Sequence, residues 1–149
     1  MLYLIKTETD QYFNFLIQDP VRPSIPHKQR IGINKDVFVS TGDQGEVKAI
    51  TCVSYQSDIP VAEQGLFADT TEPSVAIFYT IWSYVPGAGR SLIFNAVDYI
   101  KHNKPNIRRF VTLSPSTDMA KRFHVKNGAV IHRVNPESVN YEYVIPSDA

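Results

Sequence analysis

One stretch constrains the fold more than any other. The twelve residues Ser74 to Val85 (SVAIFYTIWSYV) run without a spacer into Pro86-Gly87-Ala88-Gly89-Arg90-Ser91, after which Leu92, Ile93, Ala96, Val97, Tyr99 and Ile100 recur at helical spacing up to Asn103. A nearly unbroken series of β-branched and aromatic residues asks for burial on both faces, which a central strand supplies. The order is strand, glycine turn, helix.

The rest of the chain arranges itself around that unit. Leu2 to Lys6 reads as a short strand, and Thr7 or Thr9 is placed to cap a helix carrying Tyr12, Phe13, Leu16 and Ile17, ended by Asp19-Pro20. The segment DPVRPSIP holds Pro20, Pro23 and Pro26 and is barred from regular structure. Asp36 to Thr41 and Glu46 to Tyr55, joined by Gly42-Asp43-Gln44-Gly45, read as a β-hairpin. Residues 58–73 read as an irregular surface connection or short helix. Beyond the central unit come a strand at Arg108 to Ser114, a helix at Ser116 to Asn127 ended by Gly128, and an antiparallel pair at Ala129 to Val134 and Val139 to Ile145. Fraying is expected only at the ends, above all in the closing IPSDA. The pattern predicts one α/β domain over residues 1–149 with a mixed sheet, hairpins first and β-α-β-α-β-β after.

Composition narrows the function classes. With 43% apolar residues in 149, there is enough for one packed core. Fifteen Lys+Arg against fifteen Asp+Glu give no net field toward phosphate backbones or anionic lipid, so nucleic acid and membrane are not expected partners. The lone Cys52 excludes an internal disulfide framework and suits a reducing compartment, with the cytoplasm as the simplest location. No apolar run approaches the roughly 20 residues of a membrane span, and MLYLIKTETD lacks the flanks of a signal peptide. His27, His102, His124 and His132 show no metal-ligand spacing, and no G-x-S-x-G elbow is present, so neither a metal nor a covalent serine mechanism is expected. Cys52, inside a predicted strand, reads as a small core residue.

A Gly-x-Gly turn entering a helix exposes main-chain N–H groups to which the helix dipole adds positive potential, so it can seat a diphosphate; it can equally be a tight turn that lets strand and helix pack closely. The dinucleotide fingerprint fails because Leu92 stands at its third glycine, and no Gly-Lys-Ser/Thr completes a phosphate loop. A second signature follows at Ser114 to Gly128 (SPSTDMAKRFHVKNG). Together the two resemble the acyl-CoA-binding half of the GNAT superfamily of N-acetyltransferases. There a Gln/Arg-x-x-Gly-x-Gly/Ala turn follows the fourth strand, and a Ser-Asn-x-x-Ala-x-x-x-Tyr-x-x-x-Gly helix follows the fifth. Residues 74–134, about two-fifths of the chain, carry the match. Gly87, Gly89, Ser116, Ala120 and Gly128 fall on family positions, whereas Tyr84, Thr117 and His124 replace the usual Gln or Arg, Asn and Tyr.

The resemblance implies a GNAT-like fold whose central strands, 74–85 and 108–114, diverge, with the pantetheine arm of acetyl-CoA in the V between them. The arm would run along Ile81 and Trp82, and the pyrophosphate would lie over Val85, Gly87, Ala88, Gly89, Arg90 and Ser91. Ser114, Thr117 and Ala120 would form the facing wall. Arg90 or Lys121 would steer the remaining phosphate, though each reads as well as a solvated helix residue.

Acetyl transfer to an amine needs a neutral nucleophile, a polarised thioester and a proton for the leaving thiolate, and holding the reactants together is worth about 7 to 11 kcal/mol in well-oriented systems. The family's usual proton donor is the tyrosine at the position of His124. An imidazole of ordinary pKa, about 6.5, is roughly a quarter protonated at neutral pH and would serve as that donor, or else would simply hydrogen-bond at a helix surface. An oxyanion would be met by a backbone N–H around Tyr79 to Trp82. Glu72, Tyr79 and Ser83 are the candidate bases, with deprotonation through water as the alternative. The implied partner is a small-molecule or peptide amine; protein, amino acid, polyamine and antibiotic acceptors all stay open, as does a homodimer. The replacements at the three family positions equally suit a non-catalytic CoA-binding or interaction domain of the same fold.

Overall fold

A computed structural model describes residues 1–145. Its strands are β1 (Leu2–Ile5), β2 (Lys35–Thr41), β3 (Val47–Gln56), β4 (Val75–Ser83), β5 (Arg109–Thr112), β6 (Ser114–Pro115), β7 (Val130–Val134) and β8 (Ser138–Tyr143); its helices are α1 (Ala88–Asn103) and α2 (Asp118–Lys126). They build one eight-stranded sheet in the order β1-β2-β3-β4-β5-β8-β6, with β7 paired to β8. Every pairing is antiparallel except that of β4 with β5. A parallel neighbour needs a crossover, and α1 supplies it.

The central unit forms as its residues dictate. Ala76, Ile77 and Tyr79 of β4 are buried, Gly87 at φ +82° turns the chain in the left-handed region, and α1 lays Leu92, Ile93, Ala96, Val97 and Ile100 on the sheet. One core lies between that helix and the sheet, including Phe38, Tyr55 and Phe110. A second lies on the opposite face, where Phe13, Leu16, Ile25 and Leu66 cover Ile50, Ile77 and Tyr79.

Two features of β4 break the regular pairing of the sheet. Against β3, Val53 pairs with Phe78 and Cys52 with Thr80, so Tyr79 is an extra residue, a β-bulge. The bulge inverts the alternation. Strict period two places Phe78 and Trp82 on one face; here Phe78 packs with α1, while Tyr79 and Trp82 both join the opposite core. On its other side β4 pairs with β5 only from Val75↔Arg109 to Phe78↔Thr112. Leu113 N–H still reaches Phe78 O at 3.0 Å, and then Ser114 and Pro115 turn away to pair with Val139 and Ser138 of β8. The sheet splits there.

The N-terminal region departs from the helical reading. Phe13–Gln18 is a short 3-10 turn, Ile17 is 73% exposed, and the hydroxyls of Thr7 and Thr9 bond each other at 3.1 Å instead of capping a helix. Asp10 takes the Tyr12 N–H at 2.8 Å and the Tyr3 hydroxyl at 2.6 Å, which commits the chain to a turn before a helix can nucleate. The Pro-rich segment is irregular, as expected, and is followed by a 3-10 turn at His27–Arg30. Of the closing IPSDA, Ile145 packs against the core, and the remaining four residues lie outside the described part of the chain.

Candidate functional site

Where β4 and β6 part, a cleft of about 350 Å³ opens. One wall is β4 from Phe78 to Ser83, and the other is Leu113 to Pro115 with Thr117, Met119, Ala120, Phe123 and His124 of α2 and its entry. Pro20 and Val21 border it, and Gly89 touches it at the start of α1. The lining is mostly apolar, yet its β4 wall carries main-chain polarity. Tyr84 N–H is donated to Lys48 O on the β3 side at 2.8 Å, so the alternation of a strand turns the N–H and C=O groups of Ser83 and Ile81 the other way, into the opening.

At the end of that wall the glycine turn is open. Ser83 to Gly87, Arg90 and Ser91 are exposed, whereas Ala88 and Gly89 are buried. A Cβ at Gly87 would meet nothing within 4 Å, so its glycine answers to the positive φ; a Cβ at Gly89 would come within 3.3 Å of Phe123 Cζ, so that glycine lets α1 and α2 approach. These observations fit an anion seat made of main chain at a helix N-terminus. The turn is not packed shut, and the two strands are not joined along their length.

The structure places the remaining expected residues as follows. Ile81, Trp82, Ser114, Thr117, Ala120, Tyr79 and His124 all line the cleft. Trp82 donates its indole N–H to the Tyr84 hydroxyl at 3.0 Å, and that hydroxyl donates to Gln18, so Tyr84 faces the N-terminal region rather than the turn. Ser114 is buried and bonds Thr112 Oγ1 at 2.8 Å, while Thr117 is the N-cap of α2, accepting Ala120 N–H at 3.2 Å. Arg90 lies over the Phe94 ring at 5.2 Å with Nη1 3.4 Å from Asn127 Oδ1, on the α2 side of the turn. Val85 and Ser91 flank the glycines.

Three of the chemical expectations change. Glu72 lies in the exposed loop before β4, at the end of the strand where β4 and β5 are still paired, and is not part of the cleft. Tyr79 is 1% exposed and its hydroxyl has no hydrogen-bond partner among the described residues; burial pushes its pKa well above the usual tyrosine value, which disqualifies it as a base near neutrality. His124 lines the cleft but is 4% exposed, and burial lowers its pKa to about 4. It is therefore neutral at pH 7, not partly protonated. Its Nδ1 is 2.7 Å from the Tyr143 hydroxyl, which burial keeps protonated, so a neutral ring and a neutral phenol share one hydrogen bond.

Sequence reasoning missed Asp19, Arg22, Arg30 and Tyr143. Asp19 and Arg30 form a fully buried pair at 2.6 Å beneath β4, and Arg22 reaches main-chain oxygens on both sides of the split. The only local signal was a carboxylate before a proline with two arginines downstream. Cys52, buried in β3 beside Arg30, has its thiol pushed up to about 11 by burial, as suits a core position. Among the described residues no cluster of three or more His, Cys, Asp or Glu side chains could hold a metal, and no helix is long and apolar enough to cross a membrane.

The mixed sheet split beside β4, with its glycine turn entering α1, has the fold of solved GNAT acetyltransferase domains. Solved structures share it. A malonyl-CoA decarboxylase from Agrobacterium vitis matches with TM-score 0.81 and 17% identity over 97% of this chain and 60% of that one. The GNAT domain of S. lividans PAT matches with TM-score 0.64 and 16% identity over 97% and 89%. Tetrahymena GCN5 matches with TM-score 0.63 and 14% identity over 99% and 98%. The chain spans about three-fifths of the length of the decarboxylase. No protein-family model and no curated protein matches the sequence.

Proposed function

We propose that the chain binds an acyl-CoA thioester between β4 and β6 and transfers the acyl group, acetyl in the simplest case, to an amine by direct attack. The carrying observation is the loss of strand pairing after Phe78 and Thr112, which turns the Ile81 and Ser83 main chain toward an apolar cleft ending at the open glycine turn. An amide-rich pantetheine arm satisfies such groups as an added strand would. The diphosphate would then be held at Val85 to Ser91. The thioester supplies an activated carbonyl carbon.

The chain's own residues define the proton traffic. The amine nitrogen attacks the carbonyl carbon, the C–S bond breaks with its electron pair on sulfur, the thiolate takes one proton and the amine loses one. Apart from Tyr79, His124 is the titratable side chain lining the cleft among the described residues. Neutral at pH 7, His124 has no spare proton to give; its ring faces the departing sulfur as a hydrogen-bonding group positioned by Tyr143, and the proton that the amine loses on acylation, carried directly or through water, is the one the thiolate takes. With no carboxylate in the lining, the amine arrives neutral or yields its proton to water.

A second reading has its own support. Three malonyl-CoA decarboxylases match with TM-scores of 0.77 to 0.81, above the 0.61 to 0.65 of the acetyltransferase-fold structures. Loss of carbon dioxide from a malonyl thioester needs no amine, only a seat for the thioester enolate and a proton donor for its carbon.

Melting with coenzyme A, acetyl-CoA or malonyl-CoA tests the shared premise, since a ligand at 100 times its dissociation constant adds about 2.7 kcal/mol and a shift of several degrees. Thiol release from acetyl-CoA that depends on an added amine supports transfer. Carbon dioxide release from malonyl-CoA without amine supports the second reading. A shift without turnover of either kind leaves a CoA-binding domain, and no shift at millimolar ligand overturns the acyl-CoA reading altogether.

A further inference from the structure

We propose that Arg22 is a positioning residue which replaces the missing strand pairing at the apex of the split and so holds the cleft open before any ligand arrives. Beyond the last paired residues, no strand pairs across the gap with the carbonyls of Tyr79 on β4 and Leu113 ahead of β6. The Arg22 guanidinium takes both. Its Nε is 3.3 Å from Tyr79 O and its Nη2 is 2.9 Å from Leu113 O, while Nη1 is 3.2 Å from Glu63 Oε1 in the loop that follows β3. A guanidinium is planar with N–H groups at fixed angles, so a single Arg contacting both oxygens sets their separation as well as their charge environment.

The clamp is itself clamped. Asp19 Oδ1 accepts the N–H groups of Val21 and Arg22 at 2.7 and 3.0 Å and the Thr80 hydroxyl at 2.8 Å, which ties the Pro-rich segment to the residue beside the bulge. Arg30 bonds Asp19 Oδ2 at 2.6 Å and the Arg22 and Ile25 carbonyls at 2.8 and 3.1 Å, and the side chains of Asp19 and Arg30 are fully buried. Pro20 and Pro23 restrict the backbone on either side of Arg22. Arg22 is thereby delivered to the apex in one orientation, from a segment whose lack of helix or strand now has a purpose. A lysine would supply one compact charge and could not span two carbonyls.

The effect on ligand rests on the acyl-CoA reading; the effect on the strands does not, and the test keeps them apart. Carbonyl carbon resonances of Tyr79 and Leu113, selectively labelled, are compared in the free protein for wild type, Arg22→Met, Arg22→Lys and Glu63→Gln, and coenzyme A affinity is measured for each. Arg22→Met is expected to move both resonances and weaken coenzyme A by about tenfold, a loss that one charge-assisted hydrogen bond readily accounts for. Arg22→Lys is expected to recover at most one resonance and not the affinity. Glu63→Gln, which leaves both carbonyl bonds in place, is expected to change neither. Unmoved resonances in Arg22→Met overturn the proposal, as does Arg22→Lys matching wild type in both. Should Arg22→Met not fold, the two resonances in Arg22→Lys decide alone. A wild type that binds no coenzyme A sinks the acyl-CoA reading, and the resonances still judge the clamp.

Discussion

The Nδ1 atom of His124 lies 2.7 Å from the hydroxyl of Tyr143, and the same imidazole stacks on Tyr141 at 5.1 Å between centroids. This contact anchors α2 to β8 and keeps a titratable ring in a dry place. Burial lowers the His124 pKa from 6.5 to about 4, so between those values the unfolded chain binds a proton that the folded chain refuses. Stability should therefore be unaffected by this group above about pH 6.5 and decline as the pH falls toward 4. The decline attributable to His124 should total about 3 kcal/mol. Urea midpoints at several pH values, compared with those of His124→Gln, check this; a variant whose stability falls as steeply as that of the wild type sinks it.

Tyr143→Phe removes the hydroxyl that bonds Nδ1 of His124 without touching the cleft lining. Under the transfer reading, turnover should fall by roughly tenfold, about the worth of one lost hydrogen bond that orients the ring toward the departing sulfur, while coenzyme A affinity is retained. Steady-state turnover beside calorimetric affinity separates the two effects. Equal turnover would show that the orientation of the His124 ring has no part in the reaction.

The Asp19–Arg30 pair is fully buried, with Asp19 also serving two main-chain N–H groups and Thr80. Arg30→Met strands a buried carboxylate, and Asp19→Ala strands a buried guanidinium. Each should destabilise by about 3 to 5 kcal/mol. Denaturant unfolding reads the loss directly, and a change below about 1 kcal/mol, the scale of an exposed pair, would mean that the network is solvated.

Much of this arrangement was readable from residue order, and most of the exceptions depend on contacts made far along the chain. The β4–turn–α1 unit, the β2–β3 hairpin and α2 ended by Gly128 depend on local periodicity and turn chemistry, and they form where expected. The bulge at Tyr79 depends instead on how β4 registers against Cys52 and Val53, so no reading of β4 alone reveals it. The helical spacing of Tyr12, Phe13, Leu16 and Ile17 loses at one end to the local turn bond from Tyr12 N–H to Asp10, and at the other to the buried pairing of Asp19 with Arg30. His124 was placed on the cleft through a resemblance, but its charge state follows from Tyr141 and Tyr143, which lie far along the chain. Arg22 reaches Leu113 across 91 positions, a contact with no local trace.

The two glycines of the turn make opposite demands, and alanine tells them apart. Gly87 adopts φ +82° with open space where a Cβ would be, so Gly87→Ala meets only backbone strain and should destabilise by about 1 kcal/mol. Its coenzyme A affinity should stay within a few-fold of wild type, because the methyl group displaces no protein atom and so leaves the shape of the seat intact. Gly89→Ala keeps a helical backbone, but its Cβ would come within 3.3 Å of Phe123 Cζ, a ring that lines the cleft. The ring must yield toward the opening or force α1 and α2 apart. Either response disturbs the seat, so affinity should drop by about tenfold even though alanine favours the helix. Thermal melts and calorimetric titration of both variants check the pair of outcomes. If the stability loss falls on Gly89 and the affinity loss on Gly87, the division of labour between conformation and close approach argued for this turn is wrong.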